Sequence, residues 1–194
     1  MKTHTQCTFA RGFTLIELLV VITLIGILTS LAFSAYRGAV TRARNLTALA
    51  AVKSITLAVH NYVADYHRMP VRSTVEEPAD LSEGSPLLKV LMGENVDRLN
   101  PSRTRFLADQ PIGRNGAGGL VGTDDQWALV DPWGTPFRIV MDGDWDQRVI
   151  NPDAQNEEPS ISGPASSWLP LTVIGFSAGV DKRFGTRDDV VSWR

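Results

Sequence analysis

Three aspartates near the end of the sequence carry side chains of the kind that bind hard cations. Asp181, Asp188 and Asp189 lie in one polar segment, where two glycines permit tight backbone turns. Calcium usually takes about six to eight oxygen ligands, mainly carboxylates and backbone carbonyls. The segment therefore predicts either a calcium loop, completed by carbonyls near Ser177 and Arg183, or a solvated turn whose acids are neutralised by neighbouring Lys and Arg side chains.

A second acidic run spaces its carboxylates as in the first half of an EF-hand loop. Asp142, Asp144 and Asp146 stand at the first, third and fifth positions of that pattern. The sixth position is Gln147 where the EF-hand needs glycine, and the twelfth is Asp153 where it needs glutamate. These two departures favour a polar loop over a metal site.

Ser177 also lies within Gly175-Phe-Ser-Ala-Gly179, which fits the G-x-S-x-G motif of hydrolases. A nucleophile elbow needs a helix directly after the serine, with an acid and a histidine later in the chain. The residues that follow are turn formers, and no histidine comes after His67. We therefore predict no catalytic role for Ser177 and a protein that is not an enzyme.

The composition of the 194-residue chain suits one globular domain with an additional element. Hydrophobic residues make up 43%, enough to bury a modest core. The formal net charge is −2 and no long basic run is present, so no nucleic-acid partner is predicted. The single cysteine, Cys7, forms no internal disulfide, which leaves both a reducing and an extracytoplasmic compartment open.

The N-terminal segment is short, polar and basic, and a long apolar run follows it. Residues 13–33 contain one charged residue, Glu17. As a helix rising about 1.5 Å per residue, this run would cross a bilayer core of roughly 30 Å. The positive-inside rule keeps the N-terminus in the cytoplasm and sends the rest of the chain outward.

Three interpretations of this segment compete. A secretory signal and a plain single-span anchor both leave Glu17 unexplained, because a carboxylate inside a membrane costs about 2–3 kcal/mol or more without a partner. For the third, residues 11–21, RGFTLIELLVV, resemble the type IV prepilin signal. The resemblance implies that a prepilin peptidase cuts after Gly12 and methylates the new amine of Phe13. It also implies that Glu17 faces the N-terminal ammonium of a neighbouring subunit in a filament.

The helical pattern continues well beyond the apolar run. No proline occurs before Pro70, and apolar residues recur at intervals of three and four: Leu46, Leu49, Val52, Ile55, Val59, Tyr62 and Tyr66. A helix of roughly 50 residues is far longer than the globular average of about 12. We therefore predict one helix whose first part, residues 13–35, serves membrane and filament, and whose second part, residues 36–67, packs on a head.

The head is predicted to comprise residues 68–194. Short strands are expected at 127–130, 137–141, 171–176 and 190–193. The first two read as a hairpin around the turn DPWGTP, and a short helix is expected near 87–92. Residues 68–126 otherwise read as irregular, and 142–170 as too polar for a core element. The predicted fold class is α+β, with a long N-terminal helix packed on a small antiparallel sheet.

Two segments of the head, DPWGTPFRIV and the terminal FSAGVDKRFGTRDDVVSW, resemble the major pseudopilins of type II secretion systems. The resemblance implies a calcium ion in the terminal loop, held by Asp181, Asp188, Asp189 and Ser177, that fixes the loop and permits assembly. It also implies a leader at residues 1–12, a helix in the inner membrane and a head in the periplasm.

The sequence thus predicts a structural subunit of a type II secretion pseudopilus, which supports protein secretion across the outer membrane. The expected partners are further copies of the chain, the prepilin peptidase, minor pseudopilins and the inner-membrane assembly platform. Two alternatives stay open. One is a type IV pilus or minor pilin subunit for adhesion or motility, and the other is a membrane-anchored, calcium-dependent binding module that forms no filament.

Overall fold

The computed structural model describes residues 13–107, 111, 113, 118–123, 126–155 and 166–193. The predicted leader, with Gly12 at its cleavage site, lies outside the described residues. The chain divides into two compact units, of which the first ends at Arg42 and the second begins at Ala43.

A long helix comes first in the described part of the chain, and short strands follow it. The helix α1 spans Leu15–Tyr66, 52 residues. The later elements are β1 (Ala79–Asp80), α2 (Pro86–Leu91), β2 (Gly119–Thr123), β3 (Gln126–Val130), β4 (Arg138–Met141), β5 (Val149–Ile150), β6 (Trp168–Leu169), β7 (Val173–Ser177) and β8 (Val190–Val191). An antiparallel sheet has the order β1-β4-β7-β8, and β2-β3 and β5-β6 form two smaller antiparallel pairs. The predicted α+β class is confirmed.

The later part of α1 packs on the head through every third or fourth residue. This face buries Ala48, Val52, Ile55, Val59 and Tyr62. Helix and sheet approach closely where β7 has a glycine, because a Cβ at Gly175 would lie 3.3 Å from a methyl carbon of Val52. A larger side chain at this position would push the helix away from the sheet.

The predicted apolar stripe is confirmed from Val52 onward, but Leu46 does not belong to it. Its side chain is 67% exposed. Residues 46 and 55 are nine positions apart, so at about 100° per residue Leu46 points in the opposite direction from Ile55. Successive apolar residues from Leu46 to Ile55 are three positions apart. Without an interval of four among them, these positions drift around the helix axis.

The main sheet has apolar side chains on both faces. Along β4, Ile139 and Met141 join the core that α1 covers, while Val140 points to a second apolar cluster, as the period of two requires. The second cluster also contains Val149 of β5, which is fully buried. The prediction that residues 142–170 hold no core element was therefore wrong.

The predicted hairpin around DPWGTP has the right strands but the wrong pairing. β3 pairs with β2, and β4 pairs with β1 and β7. The backbone of Leu81 lies between them, since its N–H donates to the Phe137 carbonyl and its carbonyl accepts from the Leu129 N–H, both at 2.8 Å. A single bridge, Val130 to Pro136, links the strands directly, with hydrogen bonds from the Asp131 N–H to the Thr135 carbonyl at 2.8 Å and from the Phe137 N–H to the Leu129 carbonyl at 3.0 Å.

The short helix expected near 87–92 is confirmed as α2. The hydroxyl of Ser85 caps it by accepting from the Leu88 N–H at 3.5 Å, and Pro86 occupies the first turn. Residues 68–126, which were predicted to be irregular apart from this helix, also contain β1 and β2. Two-residue strands such as β1 are too short to show an alternating pattern in sequence.

Candidate functional sites

The first part of α1 presents apolar side chains all around its axis. Between Phe13 and Phe33 the large hydrophobic side chains are 44–83% exposed. Among the described residues, α1 contains the one stretch whose length and apolar composition would let it cross a membrane. A helix that is apolar on every face is typical of burial, either in lipid or among other helices.

Glu17 lies in the first turn of α1, where its carboxylate caps the helix. Its Oε2 accepts hydrogen bonds from the N–H and the hydroxyl of Thr14, at 2.9 and 2.8 Å. The N–H of Glu17 donates in return to the Thr14 hydroxyl at 3.3 Å. These reciprocal hydrogen bonds form a capping box. They hold the Glu17 carboxylate against Thr14, the residue next to Phe13. Thr14 was not predicted as a capping residue, although the spacing Thr-x-x-Glu identifies it.

Asp131 anchors the turn between β3 and β4. It is fully buried, and its Oδ1 accepts from the N–H groups of Trp133 and Thr135 at 3.0 and 2.9 Å. Its Oδ2 accepts from the Ser177 hydroxyl at 2.6 Å. A buried carboxylate with three donors is well satisfied, so Asp131 joins the turn to the end of β7.

The Ser177 side chain has structural contacts on both sides. Its hydroxyl donates to Asp131 and accepts from the Gly179 N–H at 3.2 Å. Turns follow β7 directly, where a nucleophile elbow would need a helix. The Ser177 hydroxyl thus joins the turn at Asp131 to the start of the terminal loop, and its predicted contact with calcium stays a prediction.

The terminal loop between β7 and β8 brings its aspartates onto its own backbone. Asp188 reaches across the loop, and its Oδ2 accepts from the N–H groups of Val180 and Asp181 at 2.5 and 3.0 Å. Asp189 accepts from the Gly185 N–H at 2.8 Å. Gly179, at φ +68°, makes this closure possible, because a Cβ there would overlap the backbone of Asp188.

The carboxyl groups of Asp188 and Asp189 have pKa values that are shifted in opposite directions. Burial opposes the charge of Asp188, but the hydrogen bonds from Asp181, Thr186 and Val180 together hold its pKa below the usual value. Burial raises the pKa of Asp189 to about 6, against smaller opposing contributions from its hydrogen bonds. The one salt bridge among the described residues joins Asp80 to Arg138, so the loop's Lys and Arg side chains form none with these acids.

A different set of acids converges in the head. Oxygens of Glu76, Asp142, Asp144 and Asp146 all lie within 4.8 Å of one another, which is close enough to hold a metal ion. The three aspartates follow β4, whereas Glu76 comes from the segment between α1 and β1. The three aspartates were visible in the sequence as a spaced run, but Glu76 was not predicted, since no local pattern connects it to them.

Glu76 is the unusual member of this acidic cluster. Burial raises its pKa above the usual value, and the charge of Asp144 raises it further. The N–H of Ile150 is near enough to offset part of this effect. Among the described residues, however, no donor reaches either carboxylate oxygen with normal hydrogen-bond geometry, and each oxygen exposes less than 1 Å².

Residues 8–33 match the family model for the prokaryotic N-terminal methylation motif. No solved structure matches the chain significantly. The matched residues include Gly12, Phe13 and Glu17, and the motif supports a type IV pilin-like or pseudopilin subunit. It implies processing by a prepilin peptidase and assembly into filaments.

Proposed function

We propose that the chain is a major-type pseudopilin, a structural subunit of a type II secretion pseudopilus. The observation that carries the pilin-like part of the proposal is the methylation motif at residues 8–33 on a helix whose apolar side chains are exposed. The secretion role rests on the resemblance of DPWGTPFRIV and the terminal segment to pseudopilin heads. Such a surface must be covered by lipid before assembly and by neighbouring subunits afterwards. The head would then stand in the periplasm, with the helix first in the inner membrane and later in the filament.

In this proposal Glu17 sets the position of each incoming subunit. Cleavage after Gly12 creates a methylated ammonium on Phe13, and the carboxylate of Glu17 pairs with the ammonium of a neighbour. A buried ion pair contributes little net stability, but it penalises misaligned neighbours strongly, because breaking it leaves a charge in an apolar surrounding. The capping box keeps the carboxylate at the helix end, where a neighbour's terminus can reach it.

We also propose that the terminal loop binds calcium through Asp181, Asp188 and Asp189, with backbone oxygen near Ser177. The resemblance to pseudopilin heads supports this site. The three carboxylates lie in one short loop, but their oxygens do not converge as a metal-binding group among the described residues, so binding would have to draw them together. Asp189 is ionised at neutral pH although its pKa is raised, because that pKa, about 6, lies below 7. Asp188→Asn would then lower the number of calcium ions bound by the chain by one.

Deleting the gene in the native host tests the secretion role. We expect proteins that are normally released to the medium to accumulate in the periplasm, with surface pili, adhesion and motility unchanged. Complementation with the wild-type chain should restore release. Normal release together with lost pili would favour the pilus alternative, and no change in either would favour a membrane-anchored binding module.

A further inference from the structure

The acidic cluster of Glu76, Asp142, Asp144 and Asp146 has the dimensions of a calcium shell. Calcium–oxygen distances are about 2.3–2.6 Å, so ligand atoms on opposite sides of one ion lie roughly 4.6–5.2 Å apart. The four carboxylates fall within 4.8 Å of one another. A single ion would therefore reach an oxygen of each without any large rearrangement of the backbone.

The acidic cluster has no ion-pair partner among the described residues. Asp142 is fully buried, and no described cation forms a salt bridge with any of the four acids. Backbone N–H groups of Trp145 and Gln147 donate to Asp142 at 2.6 and 2.8 Å, but these are dipoles and not full charges. Asp144 and Asp146 are exposed, but charge on the buried Asp142 and on the shielded oxygens of Glu76 is costly without a counter-charge, so a bound cation would stabilise the cluster.

The environment of the Glu76 carboxylate is a second, independent observation that indicates a bound ligand. Both of its oxygens are shielded from solvent and accept no hydrogen bond of normal geometry, although buried carboxylates are nearly always satisfied. The acidic loop is also packed against the segment that carries this residue, because a Cβ at Gly143 would lie 2.8 Å from backbone atoms of Thr74. The Glu76 carboxylate therefore lies beside three aspartates, and the loop that carries those aspartates packs through its backbone against the segment of Glu76.

We propose that Glu76, Asp142, Asp144 and Asp146 bind a calcium ion that ties the segment before β1 to the loop after β4. The three aspartates supply the first, third and fifth ligands of an EF-hand-like loop, and Glu76 replaces the distant glutamate from another part of the chain. The inference does not depend on the proposed secretion function, since it concerns only the head. It also differs from the terminal loop, which shares none of these residues.

Terbium luminescence of the full chain in detergent tests the site, because Tb³⁺ occupies oxygen-rich calcium sites and is excited by a nearby indole. Trp145 lies between two of the proposed ligands. We expect sensitised emission that calcium displaces and that Trp145→Phe removes. Glu76→Gln and Asp144→Asn should each weaken the Trp145-dependent binding at least about tenfold, since ligand charge tunes affinity.

Glu77→Gln is the matched control, because the neighbouring carboxylate is exposed and outside the cluster, and it should bind terbium as the wild type does. Asp188→Asn should also leave this signal intact. In EDTA, Glu76→Gln should raise the melting temperature, because it removes repulsion among empty ligands. Absent Trp145-dependent emission, wild-type affinity in Glu76→Gln, or a lower melting temperature of that variant in EDTA would each overturn the proposal.

Discussion

A chain with Glu17→Gln is expected to insert into the membrane and lose its leader, yet to be absent from filaments. Glutamine keeps an oxygen that can accept from Thr14, so the helix cap survives. It has no charge with which to pair the ammonium of a neighbouring Phe13. Breaking a buried ion pair costs about 3–5 kcal/mol, so incorporation should fall by roughly a hundredfold or more. Immunoblots of sheared filaments and of membranes would measure the two pools.

Thr14→Val is the matched control for that experiment. It removes the hydroxyl of the capping box and leaves the Glu17 charge in place. Loss of a cap costs about 1 kcal/mol, and a helix of 52 residues should tolerate it. We therefore expect near-normal incorporation of this variant. If Thr14→Val were excluded from filaments while Glu17→Gln entered them, the carboxylate would act through the cap and not through its charge.

Asp131→Ala is expected to destabilise the head more than any change to an exposed carboxylate. The substitution leaves the N–H groups of Trp133 and Thr135 and the Ser177 hydroxyl without their acceptor. Each unsatisfied buried group costs about 1–3 kcal/mol, so we expect a loss of about 3–5 kcal/mol in the free energy of unfolding. Natural domains have only about 5–15 kcal/mol in total. Urea unfolding followed by near-UV circular dichroism would measure it.

Two other variants calibrate this result. Asp131→Asn keeps one oxygen for the turn and an amide group beside Ser177, so it should cost clearly less than alanine. Asp80→Asn removes the exposed salt bridge to Arg138, which is 2.6 Å long, and should cost less than about 1 kcal/mol. Equal losses for Asp131→Ala and Asp80→Asn would show that Asp131 does not anchor the turn.

Local patterns in the sequence predicted elements well and their partners poorly. The long helix followed from the apolar run and the absence of proline before Pro70, and α2 from its apolar patch. The pairing of β3 with β2 was missed although two residues separate these strands, because the glycine-rich residues 119–123 were read as part of an irregular segment. The predicted β3–β4 hairpin stops after one bridge, because the backbone of Leu81, far away in the chain, bonds to both Leu129 and Phe137.

Site residues were likewise predicted where the signal is local in the sequence and missed where it depends on a distant segment. Glu17 was recognisable because a single carboxylate interrupts an apolar run. The aspartates after β4 were visible as a spaced run, but the EF-hand pattern places the remaining ligand farther along the same loop. Glu76 comes from an earlier segment, and only the folded chain brings it beside Asp142. A ligand that comes from a distant segment of the chain leaves no spacing pattern in the sequence.

The intact mass of the protein purified from membranes of its native host tests prepilin processing most directly. We expect the mass of residues 13–194 plus one methyl group, since cleavage after Gly12 and methylation of Phe13 precede assembly in this account. Fragmentation of the first residues should place the methyl group on the α-amine. A full-length mass, or a chain that begins near Phe33 or Tyr36, would contradict the account and indicate an ordinary anchor or secretory signal.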